Sequence, residues 1–414
     1  MVGKVSPVLV ELSLASEQPV SCNIVPGIPD GYSPGLIKHW EGGLVGVAFR
    51  TTPRKLGKVY CSNRPAVLFY LAPGADSWTI ITGADPNMEV GITKLEVSPE
   101  GKLVWLERTL TGDLYPGPHG SSFRLMSLDS LGGNIREVVS HQQPEYPSPF
   151  CGLFNPHFSL RCWISPQLLA LSGPQGETMR PILINIATGE VTVPEDQSCQ
   201  GVEILDVADG IILGRKSDPV TPTHLVVAKL SEGDDQTGLN FRPVKTVPSC
   251  PVPGLTWSSY SFTPGNIFTA HYIGPKSGEN VPLIVWPHGG PHSVITTDFK
   301  NIVMFFCQLG YGVVFVNYRG SLGFGEDNVR SLLGKVGVQD VQDCHQATLH
   351  VLDTLPHLAK DRVVLMGGSH GGFLVTHLAG QYPDLYKVNS NNENKNLISN
   401  IQYFLGCGGK KSSD

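Results

Sequence analysis

Leu365-Met366-Gly367-Gly368-Ser369-His370-Gly371-Gly372-Phe373 is the stretch that decides how this chain is read. A Gly-x-Ser-x-Gly pattern holds a serine where a strand breaks sharply into a helix, because only small flanking residues tolerate the crowding while Oγ is pushed into the open. In a chain with 47 glycines a five-residue match carries little by itself, so its flanks matter. Arg362 to Met366 (Arg-Val-Val-Leu-Met) is a short run suited to a buried parallel strand, and Phe373, Leu374, His377 and Leu378 recur afterwards at helical spacing. Strand, elbow and helix are all predicted. Ser369 is then the nucleophile, with Gly367, Gly368, Gly371 and Gly372 as the small residues around it.

Working upstream, Val281 to Trp286 is another apolar strand, and it ends in Pro287-His288-Gly289-Gly290-Pro291. Such a glycine turn lets backbone N–H groups near Gly289 or Gly290 approach an acyl oxyanion. The second donor is the N–H of His370, directly after the nucleophile, and its imidazole need take no part. The His288 side chain is expected to pack or hydrogen-bond the turn. Between the two motifs, Val313 to Val316 make a third buried strand, followed by Asn317-Tyr318-Arg319-Gly320-Ser321 and Gly323-Phe324-Gly325 where open α/β sheets place their ligand crevice. Arg319 is placed either to pair with a substrate carboxylate or to tie the loop to Asp340 or Asp343. Helices are predicted over Asp298 to Leu309 and Val338 to Leu355. Together these elements describe the N-terminal part of an α/β-hydrolase domain.

His288-Gly-Gly-Pro291, Asn317-Tyr-Arg-Gly-Ser321 with Gly323-Phe-Gly325, Gly337-Val-Gln-Asp340-Val-Gln-Asp343 and Met366-Gly-Gly-Ser-His-Gly-Gly-Phe373 resemble the prolyl oligopeptidase family of serine peptidases. Histidine after the serine, where other branches often carry tyrosine, points to the acylaminoacyl-peptidase branch. The resemblance is strong from about Val281 to Tyr386 and weaker through the N-terminal half. It implies an α/β-hydrolase domain paired with a β-propeller, and no cofactor or metal. It also implies release of N-acylated amino acids from short N-acylated peptides through an acyl-enzyme on Ser369.

The N-terminal half is organised differently. Val67 to Leu71, Trp78 to Ile81, Leu103 to Leu106, Ile182 to Ile186 and Leu225 to Ala228 are strand candidates. Ser98-Pro99-Glu100-Gly101 makes a turn between two strands, and Ser165-Pro166 repeats the theme. This punctuation is propeller-like, with a β-sandwich as the alternative, and allows about four blades. Prolines 243, 248, 251 and 253 around Cys250 deny hydrogen bonding to strand and helix alike and read as a linker. The expected organisation is a partial propeller-like domain at 1–245, a linker at 246–262, part of a hydrolase domain at 263–386, and a divergent polar tail at 387–414.

At 414 residues, 41% hydrophobic and 16% charged, the chain can bury sizeable cores. A net charge of −6 argues against a nucleic-acid partner. No run approaches the roughly 18 apolar residues of a membrane span, so no membrane association is expected. The nine cysteines have an odd count and no CxxC spacing, which suits reduced thiols in a cytoplasmic protein. His141, His157 and His224 have no paired spacing and read as satisfied histidines rather than metal ligands.

The residues after the elbow set the main expectation about activity. This fold supplies its acid and base in the order serine, aspartate, histidine. After Ser369 the histidines are His370 and His377 and the aspartates Asp384 and Asp414, and none has the position of a triad member. Lys387 to Asn396 is asparagine-rich where the next core strand belongs, so the chain reads as one lacking its triad acid and base and itself inactive. The elbow strand would then be an apolar edge, which suits a homo-oligomer or chaperone association. Two other readings of function are a broader prolyl oligopeptidase-type peptidase or esterase, and a non-catalytic propeller-based interaction protein.

Overall fold

The structure, a computed structural model, describes residues 10–13, 21–25, 29–51, 63–83, 89–110, 120–141, 143–194, 200–230, 239–244, 250–262 and 267–386. It forms two compact units, one of Met1–His141, Trp163–Leu169 and Ile184–Val191, the other of Gln142–Cys162, Ala170–Leu183 and Thr192–Asp414. The asparagine-rich stretch and the end of the chain lie outside the described residues.

In the first unit β1 (Val10–Ser13) pairs with β2 (Ser21–Ile24). Two four-stranded antiparallel meanders come next: β3 (Tyr32–Trp40), β4 (Gly43–Arg50), β5 (Ala66–Leu71) and β6 (Thr79–Thr82), then β7 (Val90–Val97), β8 (Leu103–Thr109), β9 (Arg124–Leu128) and β10 (Arg136–Val139). One pair, Ala66 with Val90, joins them. Inward residues such as Trp40, Val47, Leu68, Ile92 and Trp105 alternate along these strands and meet in one core. The Ser98 turn forms as expected: Ser98 Oγ accepts the Lys102 N–H at 3.0 Å, and Gly101 takes a positive φ that a side chain would resist. Two further four-stranded sheets run in sequential order, β11 (Trp163–Ser165) to β14 (Val191–Thr192) through β12 (Leu168–Gln175) and β13 (Thr178–Asn185), and β15 (Gly201–Ala208) to β18 (Arg242–Pro243) through β16 (Ile211–Ser217) and β17 (His224–Lys229). Consecutive four-stranded sheets are the repeat of a propeller and not of a sandwich.

The remaining strands form one five-stranded sheet in the order β19-β20-β22-β21-β23, built from β19 (Leu255–Phe262), β20 (Phe268–Pro275), β21 (Val281–Pro287), β22 (Gly312–Asn317) and β23 (Leu358–Leu365). β19, β20 and β22 are antiparallel neighbours, whereas β22, β21 and β23 are parallel. The helices are α1 (Asn301–Gln308), α2 (Glu326–Arg330), α3 (Gln339–Thr354) and α4 (His370–Gln381). Val313 and Phe315 pack with Ile284, Val303 and Met304, while Val314 and Val316 pack with Leu283, Val341 and Leu374. Both faces of β22 are thus covered, which is why its sequence is an unbroken apolar run.

Two expectations are corrected here. The linker does not extend to 262, because Leu255–Phe262 pairs along its length with β20. Leu255 and Trp257 face one core and Tyr260 and Phe262 the other, a strand alternation that the preceding prolines obscured. The elbow strand begins at Leu358 rather than Arg362, and its exposed Lys360, Asp361 and Arg362 put charge on what had looked like an apolar edge. Among the described residues no helix is long and apolar enough to cross a membrane.

Candidate active site

Parallel pairing sets up the site. β23 lies beside β21 with Leu283 opposite Val363 and Val285 opposite Leu365, and Met366 N–H donates to Val285 O at 3.0 Å. The elbow and the glycine turn therefore leave the sheet from the same end of adjacent strands. Ser369 sits at φ 56°, ψ −122°, a conformation a non-glycine residue resists, and is exposed; α4 starts at the next residue.

Sterics explain some of the glycines but not all. A Cβ on Gly371 would stand 2.4 Å from Pro287 O, and one on Gly367 would stand 2.4 Å from Gly371 O. Gly289 is also crowded: its Cβ would lie 2.8 Å from Gly368 O and 3.2 Å from the Ser369 Cβ. The turn that ends β21 is thus pressed against the backbone at Gly368 and Ser369. Gly368 has open space and Gly372 has contacts only from 3.5 Å, so neither is glycine for want of room.

His288 is buried and its ring lies over Tyr318, with centroids 4.3 Å apart. Ser321 Oγ donates to Tyr318 O at 2.6 Å and lies 2.7 Å from His288 Nε2, while Nδ1 lies 3.0 Å from Gly289 O and 3.2 Å from the Tyr318 hydroxyl. Burial pushes the imidazole down to about 4, leaving it neutral. The expected structural role of His288 is met by the Tyr318–Ser321 loop, which braces the turn from behind.

The side chain of His370 points to α3. Its Nε2 donates to Asp340 Oδ2 at 2.9 Å, and Asp340 Oδ1 accepts the N–H groups of Gly337 at 2.7 Å and Val341 at 3.0 Å. One helical turn further along α3, Asp343 takes Arg319: Nε at 2.9 Å, Nη2 at 2.5 Å and the backbone N–H at 2.9 Å. Of the two roles open to Arg319, the tie to Asp343 is the one formed. In sequence Asp340 reads as a partner for Arg319, and the structure gives it to His370 instead. A clue was available: aspartates three apart on an α3 face that also carries Val341, Cys344 and Ala347 are carboxylates in a core, and each needs a partner there.

His377 and Asp384 are not brought to Ser369. His377 lies about 12 Å of helical rise from Ser369, packed on Phe373 at 4.3 Å and 3.1 Å from Gln381 Nε2. Asp384 is exposed beyond α4. No cluster of three or more metal-ligating side chains occurs among the described residues.

Residues 297–392 match the sequence profile of the Prolyl oligopeptidase family. The chain is 30% identical over 409 residues to the acylamino-acid-releasing enzyme of Sus scrofa, covering 94% of this chain and 53% of that one. With the Homo sapiens enzyme it is 31% identical over 428 residues, covering 98% and 56%. Among solved structures it is similar to puromycin hydrolase, with a TM-score of 0.56 at 18% identity over 89% of this chain and 62% of that one. This last likeness speaks to the fold, a propeller followed by an α/β-hydrolase domain. The chain spans about half the length of the curated relatives it matches. Along most of its length the chain is similar to acylamino-acid-releasing enzymes, and its residues 297–392 match the Prolyl oligopeptidase family.

Proposed function

We propose that Ser369 is the acyl acceptor of an acylaminoacyl-peptidase reaction, in which N-acylated amino acids are released from short N-acylated peptides. Ser369 Oγ attacks the carbonyl of the acylated residue, its proton passing to a general base, and the backbone N–H groups of His370 and of Gly289 or Gly290 hold the oxyanion. Protonation of the leaving amine breaks the peptide bond, and water then releases the acyl amino acid from the serine. The observation that carries this reading is the Gly289 turn lying against the strained, exposed Ser369. The nucleophile and oxyanion turn belong to these 414 residues, whereas no triad aspartate or histidine follows His377 in a suitable position.

The 414-residue polypeptide by itself should therefore turn over N-acetyl-alanine 4-nitroanilide at background, since loss of the base removes about 10³- to 10⁶-fold in rate. Robust turnover abolished by Ser369→Ala would show that a base reaches the serine. The thiols and the absence of paired cysteine spacing support a cytoplasmic location.

A further inference from the structure

We propose that a cavity of about 370 Å³ walled by Tyr146, Pro147, Ser148, Pro149, Glu177 and Arg180 binds the C-terminal carboxylate of a peptide, with Arg180 as the anchoring cation. The inference rests on the peptide-substrate reading above. It starts from Arg180, which is half-buried and makes no hydrogen bond or ion pair among the described residues. A guanidinium with no partner among the described residues, at a concave, partly desolvated wall, is suited to a carboxylate, whose two oxygens match its fork of donors.

The other polar groups of the cavity leave that role to Arg180. Gln175 is spent on the backbone, its Oε1 accepting Cys151 N–H at 2.7 Å and its Nε2 donating to Gly152 O at 3.0 Å. Glu177 is held by other partners: its Oε1 accepts the Ser259 hydroxyl, and its Oε2 lies 3.4 Å from His271 Nδ1. Tyr146 keeps its proton, burial and the nearby Glu177 both raising its pKa, and so offers a donor, as does the Ser148 hydroxyl. The prolines and the tyrosine ring supply rigid apolar walls against which a peptide backbone can lie.

The cavity is tied to the loop that braces the oxyanion turn. Tyr146 packs edge-on to Phe324 with centroids 5.4 Å apart and its N–H donates to Phe324 O, while Gly176 N–H donates to Gly323 O at 2.7 Å. That loop also carries Ser321, which holds His288.

The test is direct binding by calorimetry, independent of turnover, with N-acetyl-Ala-Ala-Ala as free acid and as C-terminal amide. The acid should bind about tenfold more tightly than the amide. Arg180→Gln should abolish that difference while leaving amide affinity and the thermal melt unchanged, and Arg180→Lys should keep part of it. Equal binding of acid and amide, no measurable binding of either, or a preference that survives Arg180→Gln would overturn the proposal. So would an amidated peptide with an internal aspartate that binds as tightly as the acid. If unacetylated tripeptides show the same Arg180-dependent preference and bind as tightly as acetylated ones, the carboxylate site stands and the acyl-peptide reading falls.

Discussion

Removing the Asp340 carboxylate should loosen the elbow from behind, and the cost can be worked out bond by bond. The side chain is fully buried and accepts three hydrogen bonds, from His370 Nε2, Gly337 N–H and Val341 N–H. Asp340→Ala strands the buried Gly337 and imidazole donors at about 1–3 kcal/mol each, less whatever water recovers, so a loss of about 3–5 kcal/mol is expected. Asp340→Asn retains the Oδ1 acceptor for both backbone groups and loses only the charge-assisted bond, which should cost about 1–2 kcal/mol. Urea unfolding followed by hydrogen exchange over α3 and α4 separates the two, because the damage should centre on Gly337–Val341 and the first turn of α4. An alanine cost below about 1 kcal/mol, or equal costs for both variants, would refute the claim that this carboxylate holds the elbow.

Arg319→Ala should destabilise by about 3–5 kcal/mol, because it leaves the buried Asp343 carboxylate unpaired, and Arg319→Lys by about 1–2 kcal/mol through loss of the fork; a thermal melt unmoved by either would free Arg319 for a substrate role. His288 has a folded pKa of about 4 against an ordinary 6.5, so the unfolded chain takes up the proton first. The stability tied to this group is full above about pH 6.5 and falls as the pH drops toward 4, by about 3 kcal/mol. Urea midpoints at both ends of that window should show the slope, and His288→Asn should flatten it; an undiminished slope in the variant would assign it elsewhere. Gly289→Ala should cost about 1–3 kcal/mol, since its Cβ meets backbone at Gly368 that cannot swing away. A neutral melt for that variant would mean that the turn stands clear of the elbow.

The α/β-hydrolase half was legible because its signals are local and redundant. Glycine at 367, 371 and 289 answers to backbone atoms within 3 Å of where a Cβ would be, and the strands β21 and β22 read as apolar runs because both faces are buried. The propeller repeats were legible from turns such as Ser98–Gly101, where the hydroxyl accepts a backbone N–H and the glycine takes a positive φ. Strand β19 was missed because prolines dominate the preceding segment and only four of its residues, Leu255, Trp257, Tyr260 and Phe262, carry the alternation. The Asp340–His370 bond spans 30 residues and joins two helices, so periodicity within either helix cannot reveal it. The same holds for Arg180, whose significance depends on which neighbours are already satisfied.

The most direct measurement is the time course of labelling by a fluorophosphonate probe, mapped by mass spectrometry on the intact 414-residue polypeptide. On the proposed reading, in which Ser369 is the nucleophile and these 414 residues supply no triad base, the exposed serine at its strained elbow should be labelled selectively and slowly, over hours. Stoichiometric modification of Ser369 within minutes would contradict the absence of a base. Modification of other serines at the same pace as Ser369 would contradict the elbow itself.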